Sequence, residues 1–191
     1  EAIEAILPLF FGEGFTRVLL IDLPKTRSMM HLDTLFCTIS ATDIIVYPPL
    51  FNDQEINGHT VQTYCLESGQ SLFDVTPLAQ SLADCLRDQG YNFNAINCGG
   101  NEPLNQEREQ WSDGANAFTL APGKIINYAR NKETTAALQQ AGYHQMDAAD
   151  FINNSADHMA DDQQLVITIS SAELPRGRGG PRCLTMPLDR A

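Results

Sequence analysis

The sequence predicts an α+β fold made of ββαβ modules, and three observations carry that prediction. Two stretches share one order of elements, about 34–98 and 116–147. Segments rich in β-branched and apolar residues alternate with polar turns, as strands do. Between the strands lie segments with apolar residues at helical spacing and recognisable start and stop signals. Before the first stretch, Glu1 to Phe11 reads as helix. Thr34 to Ser40 and Asp43 to Tyr47 then read as adjacent strands across a short polar turn, and Thr60 to Glu67 as a further strand. Thr76-Pro77 offers an N-cap with proline at the first helical position. Leu78, Leu82, Cys85 and Leu86 continue that helix until Gly90, after which Phe93 to Cys98 returns to strand character.

The order recurs in the second stretch. Asn116 to Leu120, a Pro122-Gly123 turn and Lys124 to Ala129 form the strand pair. A helix runs from Asn131 as N-cap to a Gly142 stop, and Tyr143 to Met146 follows as strand. The two stretches share element order without sequence identity, which suggests radial or stacked modules. Asp147 to Asp162, with five Asp and several Asn and Ser, reads as a solvated loop whose spacing fits no calcium template. Leu165 to Ser170 is a strand, Ser171 to Arg182 a loop, and Cys183 to Leu188 a last short strand, so the final strands span 165–188.

Composition narrows the function classes. At 191 residues, 43% hydrophobic and 19% charged, the chain has ample length for a buried core. No apolar run approaches the roughly 20 residues of a spanning helix, which excludes a helical membrane protein. Twelve Lys and Arg stand against 24 Asp and Glu, and a net charge of −12 argues against a nucleic-acid partner. The charge is uneven: Pro175 to Ala191 carries +3, leaving −15 on the first 174 residues. Glu1 to Ile6 lacks the features of a signal peptide and reads as the middle of a longer segment. Cys37, Cys65, Cys85, Cys98 and Cys183 are odd in number and form no Cys-x-x-Cys pair, which points to a reducing, cytoplasmic compartment. With four His they assemble no zinc motif, so no metal is expected.

Arg176-Gly177-Arg178-Gly179-Gly180-Pro181-Arg182-Cys183 is the most informative segment. Three guanidinium groups around one Cys favour its thiolate, the nucleophilic form, and the glycines let the backbone approach a ligand closely. An exposed basic loop and an arginine-glycine nucleic-acid segment are the competing readings. His31 and Asp33, two residues apart at the head of a strand, would project from one face, His31 shuttling protons and Asp33 binding a cation. A structural His on a strand edge is the alternative. Cys98-Gly99-Gly100 follows a strand, but with no helix close behind it is not a dinucleotide fingerprint. Arg108 to Asn116, with the single Trp111, reads as an ordered connection.

These motifs, His31-Leu32-Asp33-Thr34, Cys98-Gly99-Gly100, Arg108 to Trp111 with Asp113 to Asn116, Ala121-Pro122-Gly123 and Arg176 through Cys183, occur in the order seen in arginine deiminases. From about Leu19 to its end the chain resembles that family. The terminal motif, continuing through Leu184-Thr185-Met186-Pro187-Leu188, separates it from agmatine deiminases, dimethylarginine hydrolases and amidinotransferases. The resemblance implies an α/β propeller of ββαβ modules with pseudo-five-fold symmetry. It implies hydrolysis of L-arginine to L-citrulline and ammonia, without metal or organic cofactor. Cys183 looks like the nucleophile, His31 like the acid and base, Asp33 like a carboxylate that holds the guanidinium, and Arg178 like a loop residue of the substrate site near the Cys.

The chain departs from the family in two ways. Asn101 stands where Asp is frequent. The family enzyme is also much longer, and its second guanidinium-binding Asp, the Glu that pairs with the His, and the Arg residues for the substrate carboxylate have no counterpart here. The chain is therefore expected to be one portion, 1–191, of a catalytic domain, an incomplete ring with little turnover by itself. Self-association or pairing with the missing N-terminal part is expected from its open faces. A non-catalytic binding or assembly module of the same fold is the alternative.

Overall fold

The computed structural model describes residues 2–53, 55–56, 58–71, 74–186 and 188. The first elements are α1 (Ala2–Gly12), β1 (Arg17–Asp22), β2 (Phe36–Thr38) and β3 (Asp43–Val46). There follow β4 (Glu55–Ile56), β5 (His59–Thr60), β6 (Gln62–Glu67), α2 (Leu82–Asp88) and β7 (Asn94–Asn97). The second half holds α3 (Pro103–Trp111), β8 (Phe118–Ala121), β9 (Lys124–Tyr128) and α4 (Lys132–Gln140). The last described elements of regular structure are β10 (His144–Asp147), α5 (Ala148–Asn153), α6 (Ser155–Ala160) and β11 (Leu165–Ile169). The architecture is mixed α+β, with small sheets and short helices. It divides into two compact units, residues 1–24 with 49–91, and residues 25–48 with 92–191.

In the first unit β1 pairs antiparallel with β6, Leu19 opposite Cys65, and β4 pairs with β5. Leu50, Ile56, Leu66, Leu82 and Cys85 are buried in it. Helix α2 does not start at Thr76-Pro77. Leu78 is held instead by its N–H to the Thr63 carbonyl, 2.8 Å, in a bridge beside β6. Ser81 is the cap, its hydroxyl accepting from Asp84 N at 3.1 Å. The first ββαβ span thus keeps its strands β2, β3 and β7 in one sheet, while its helix belongs to the other unit.

The second unit carries two sheets. In the order β2-β3-β7, β3 lies at the centre with all four residues of Asp43–Val46 buried. The other has the order β10-β11-β9-β8, with β10, β11 and β9 parallel and β8 antiparallel. The parallel partner of β9 is therefore β11, and β10 and β8 lie at the edges. Leu165, Val166 and Ile167 are at most 1% exposed, as a strand covered on both faces requires. Ile39, Ile45, Ile96, Ile125, Leu138 and Tyr143 close a common core between the sheets and α4. Each such side chain contributes about 1.5–3 kcal/mol by leaving water.

Three further expectations are corrected. Asp147 to Asp162 forms α5 and α6, because Asp147 caps the first with its carboxylate on Ala149 N at 2.9 Å. A helix does follow the double glycine: α3 begins at Pro103, and a Cβ on Gly99 would stand 2.4 Å from the Asn105 carbonyl oxygen. Cys183 to Leu188 is not a strand. Pro181 starts a 3-10 turn over Arg182–Leu184, closed by Thr185 N on the Arg182 carbonyl at 3.2 Å, and Pro187 lies outside the described residues.

Helix α4 has an unusual cap. Asn131 makes no side-chain cap bond and turns to Ser112, whose hydroxyl donates to it at 2.6 Å. Glu109 of α3 replaces it: its carboxylate accepts from Glu133 N at 2.9 Å, Thr134 N at 2.8 Å and the Thr134 hydroxyl at 2.6 Å. A buried anion on three donors at a helix N-terminus joins α3 to α4. Glu109→Ala is expected to lower stability by about 2–3 kcal/mol in urea unfolding, with faster hydrogen exchange in the first turn of α4. A loss under about 0.5 kcal/mol would show the cap to be dispensable.

Candidate active site

The chemistry-bearing residues come from three segments of the second unit, residues 28–34, 110–116 and 174–185. His31 and Asp33 do not begin a strand. The Thr34 hydroxyl donates to the His31 carbonyl at 2.8 Å, and Leu35 N reaches the Leu32 carbonyl at 2.9 Å, so Leu32–Thr34 closes as a 3-10 turn. Side-chain to backbone bonding of this kind competes with strand pairing. The period-two reading of their side chains therefore does not apply. His31 is exposed, and its imidazole makes no hydrogen bond or ion pair with a described residue. Asp33 is half-buried, and its Oδ1 is buried without a hydrogen bond.

The three arginines do not all surround Cys183. Arg176 pairs on the surface with Glu173 at 2.7 Å. Arg178 is buried, its side chain 2% exposed, with its backbone left-handed at φ 63°. Its guanidinium donates to the carbonyls of Trp111, Gln110 and Ser28, stacks 5.0 Å above the Trp111 ring and stands 3.6 Å from Asp113. It is spent on protein groups. Arg182 is the guanidinium nearest the candidate carboxylate: its Nε lies 3.9 Å from Asp33 Oδ2, and its Nη1 donates towards the Cys37 sulfur at 3.8 Å. Burial pushes the Cys37 thiol up, against the lowering effect of Arg182.

Asn116, fully buried, ties the segments together. Its Oδ1 accepts from Arg182 N at 3.1 Å and from the Cys183 thiol at 3.6 Å, while its Nδ2 donates to the Asp33 carbonyl at 3.3 Å. Gly180 is needed because a Cβ there would lie 2.2 Å from Asn116 Oδ1, so its smallness admits the asparagine. Asn127 donates to the Gly114 carbonyl at 2.9 Å, and Asn131 donates to the Ser112 carbonyl at 3.2 Å, so the 112–116 segment is pinned on both sides. Cys183 itself is exposed, whereas Cys37, Cys85 and Cys98 are buried, and all five cysteines are free. A cleft of about 830 Å³ runs past Asp33 and Arg182 along Thr38, Thr119, Leu120 and Thr185. Its walls include neither Cys183 nor His31.

Sequence reasoning missed two residues. Asn116 is legible as the start of a strand and the last residue of the Asp113–Asn116 motif, and nothing in either announces a buried amide that faces two other segments. Asp113 is 0% exposed, left-handed at φ 60°, and neither of its carboxylate oxygens has a hydrogen bond. Burial raises its pKa to about 6, Arg178 opposing and Asp33 reinforcing the shift. Tyr128, whose hydroxyl donates to the Gly179 carbonyl at 2.6 Å, is pushed up to about 12, chiefly by burial.

An exposed free thiol bonded to a buried amide, which also holds the backbone of a half-buried Asp, on a mixed α+β frame defines the class: a protein with a candidate cysteine-centred site. The family model of arginine deiminase matches residues 1–190. The chain is 35% identical over 196 residues to the arginine deiminase of Listeria monocytogenes serotype 4a (strain HCC23). It is 35% identical over 199 residues to that of Mycoplasma capricolum subsp. capricolum (strain California kid) and 34% over 196 to that of Latilactobacillus sakei subsp. sakei (strain 23K). Each match covers all of this chain and 41% of the relative. The chain belongs to the arginine deiminase family and spans about two fifths of the length of these relatives.

A group whose folded pKa is raised favours folding in its protonated form. Its contribution is present below the unfolded value, near 4, and is lost as pH rises through about 6. The stability of the wild type relative to Asp113→Asn, which cannot titrate, is therefore expected to rise by up to about 2–3 kcal/mol from pH 7.5 to pH 4. Urea unfolding of both proteins at several pH values measures it, and a difference that stays flat would contradict the shift.

Proposed function

We propose that this chain supplies the carboxy-terminal share of an arginine deiminase, with Cys183 as nucleophile, His31 as acid and base, and Asp33 as guanidinium holder. The observation that carries the reading is the Asn116 link, one amide bonded to both the Cys183 thiol and the Asp33 backbone. Asp33 Oδ1 is an acceptor with no donor among the described residues, as a carboxylate kept for a guanidinium would be. The approach of Arg182 to the other oxygen supports its suitability for that cation. Arg178 serves this site by fixing the loop, since its guanidinium is already engaged.

In the proposed reaction the Cys183 thiolate attacks the guanidinium carbon of L-arginine. The carbon–nitrogen bond breaks, His31 gives its proton to the departing ammonia, and an amidino-thioether remains on the sulfur. His31 then takes one proton from water, whose oxygen attacks the same carbon, and the carbon–sulfur bond breaks as the remaining hydroxyl proton leaves to solvent, giving L-citrulline and the free thiolate. Orientation of the imidazole matters to both steps, and His31 has no orienting partner among the described residues. The chain alone is therefore expected to turn over little arginine, and its completion by a second copy or by the rest of a longer enzyme belongs to the proposal. So does a propeller-like arrangement of the ββαβ segments.

Labelling separates the roles. With an electrophilic haloacetamidine, Cys183 is expected to gain one adduct, located by peptide mass mapping and absent in Cys183→Ser. Asp33→Asn should slow that labelling about tenfold while leaving the rate with neutral iodoacetamide unchanged, because only the amidinium needs the carboxylate. If Cys183 gains no adduct even when the amino-terminal remainder of a deiminase is supplied, the catalytic reading fails.

A further inference from the structure

We propose that Asp113 is a positioning residue for Cys183: it holds the Arg178 guanidinium, and through it keeps the 174–184 loop docked on the segment that carries His31 and Asp33. The geometry is specific. Asp113 and Arg178 are the two non-glycine residues with positive φ among the described residues, at 60° and 63°. Their side chains are 0% and 2% exposed and stand 3.6 Å apart. Neither carboxylate oxygen of Asp113 has a hydrogen bond, so its attraction to Arg178 is a charge interaction without another protein donor.

Arg178 converts that hold into position. One of its nitrogens donates to the Ser28 carbonyl at 2.5 Å, three residues before His31, and another reaches the last turn of α3. Gln110 donates to the same Ser28 carbonyl at 2.7 Å, so one acceptor takes a bond from each of two segments. Five residues after Arg178 comes Cys183. Release of the guanidinium would leave the loop its bonds through Asn116 and Tyr128 but remove its tie to Ser28.

Stability does not explain an acid at this place. Burial works against the ionised form of Asp113, so a neutral side chain of the same shape would suit the fold as well or better. The charged and titratable groups around it are Arg178 from the loop, Asp33 from the 3-10 turn, Tyr128 at the end of β9 and Cys98 after β7. Arg178 is the one cation of that set. If it leaves while Asp113 stays walled by the others, burial acts unopposed and the acid becomes weaker still. Ionisation and docking therefore favour each other.

The inference deepens the reading of Cys183 as nucleophile and rests on it for its purpose, so its test uses no reaction at the sulfur. Trp111 is the single tryptophan and lies under the Arg178 guanidinium, which makes its emission a reporter of docking. Asparagine matches Asp in size and tolerates the left-handed conformation. At pH 7.5, Asp113→Asn is expected to red-shift Trp111 emission by several nanometres and to speed hydrogen exchange of residues 174–184 at least tenfold, with β9 and β11 unchanged. The wild type should show an emission transition near pH 6 that the variant lacks.

Emission and loop exchange like the wild type's would overturn the proposal, and so would uniformly faster exchange of loop and sheets, the mark of a merely structural residue. Should Asp113→Asn not fold, Arg178→Gln gives an independent reading: the Asp113 carboxyl, followed by carbon-13 NMR, should titrate at higher pH than in the wild type. An unchanged titration would overturn it. Loop release with no amidine adduct at Cys183 in any protein would sink the deiminase reading and leave the docking role standing.

Discussion

Three stretches of chain meet at the Ser28 carbonyl. It accepts from Arg178 and Gln110, with the Thr34 hydroxyl at 3.5 Å, and those donors come from the carboxy-terminal loop, from α3 and from the turn that holds Asp33. None of these stretches is a strand, so no sheet register aligns them. A planar guanidinium with several fixed donors can satisfy carbonyls from more than one segment at once, which an ammonium on a flexible stem does less well. The sheets make a rigid floor; the relative placement of the site segments depends on this one buried fork and on the Asn116 amide beside it.

Burying polar groups at that density is tolerable because nearly all are paired. Ser112, Asn127, Asn131 and Glu109 bond to one another's segments, to helix amides or to carbonyls, so the 109–116 stretch is held by side chains rather than by a ladder. Networks of this kind specify one arrangement when complete and cost stability when a member is lost. Of the five exceptions among the described residues, Oγ of Ser171 stands apart, while both oxygens of Asp113, Oδ1 of Asp33 and Nε of Arg178 lie among the candidate site residues. Unmet polar capacity at such a place is the pattern expected of a site rather than of a core.

Much of the frame was legible from the order of residues. The strands at β2, β3, β7, β8, β9, β10 and β11 follow from β-branched runs between polar turns, and α4 from its spacing and the Gly142 stop. β1 and α3 were not legible. The first pairs with a strand more than 40 residues away, and the second carries Leu104 and Trp111 on an exposed face, where periodicity has little core to mark. Of the candidate site, Cys183, His31 and Asp33 are proposed from their chemical type. Their surroundings could not be read that way. Counting Arg176, Arg178 and Arg182 gives a local charge, yet one faces Glu173, one is buried on Trp111 and one reaches Asp33. The roles of Asn116 and Asp113 arise from burial and backbone conformation created by segments distant in sequence.

The distribution of the thiols bears on how the chain withstands oxidants. Cys37, Cys85 and Cys98 are walled off, and burial pushes the Cys98 thiol to about 12, so that sulfur is kept in its inert protonated form. Cys183 sits at the surface on a turn, and Cys65 is half-covered. Peroxide reaching the molecule meets Cys183 before any of the three buried sulfurs, and would take it to a sulfenic acid at the surface. The exposure that leaves this sulfur open to reaction also puts it first in line for oxidation, and an external reductant acting at the sulfenic stage is what would keep it from the irreversible acids beyond.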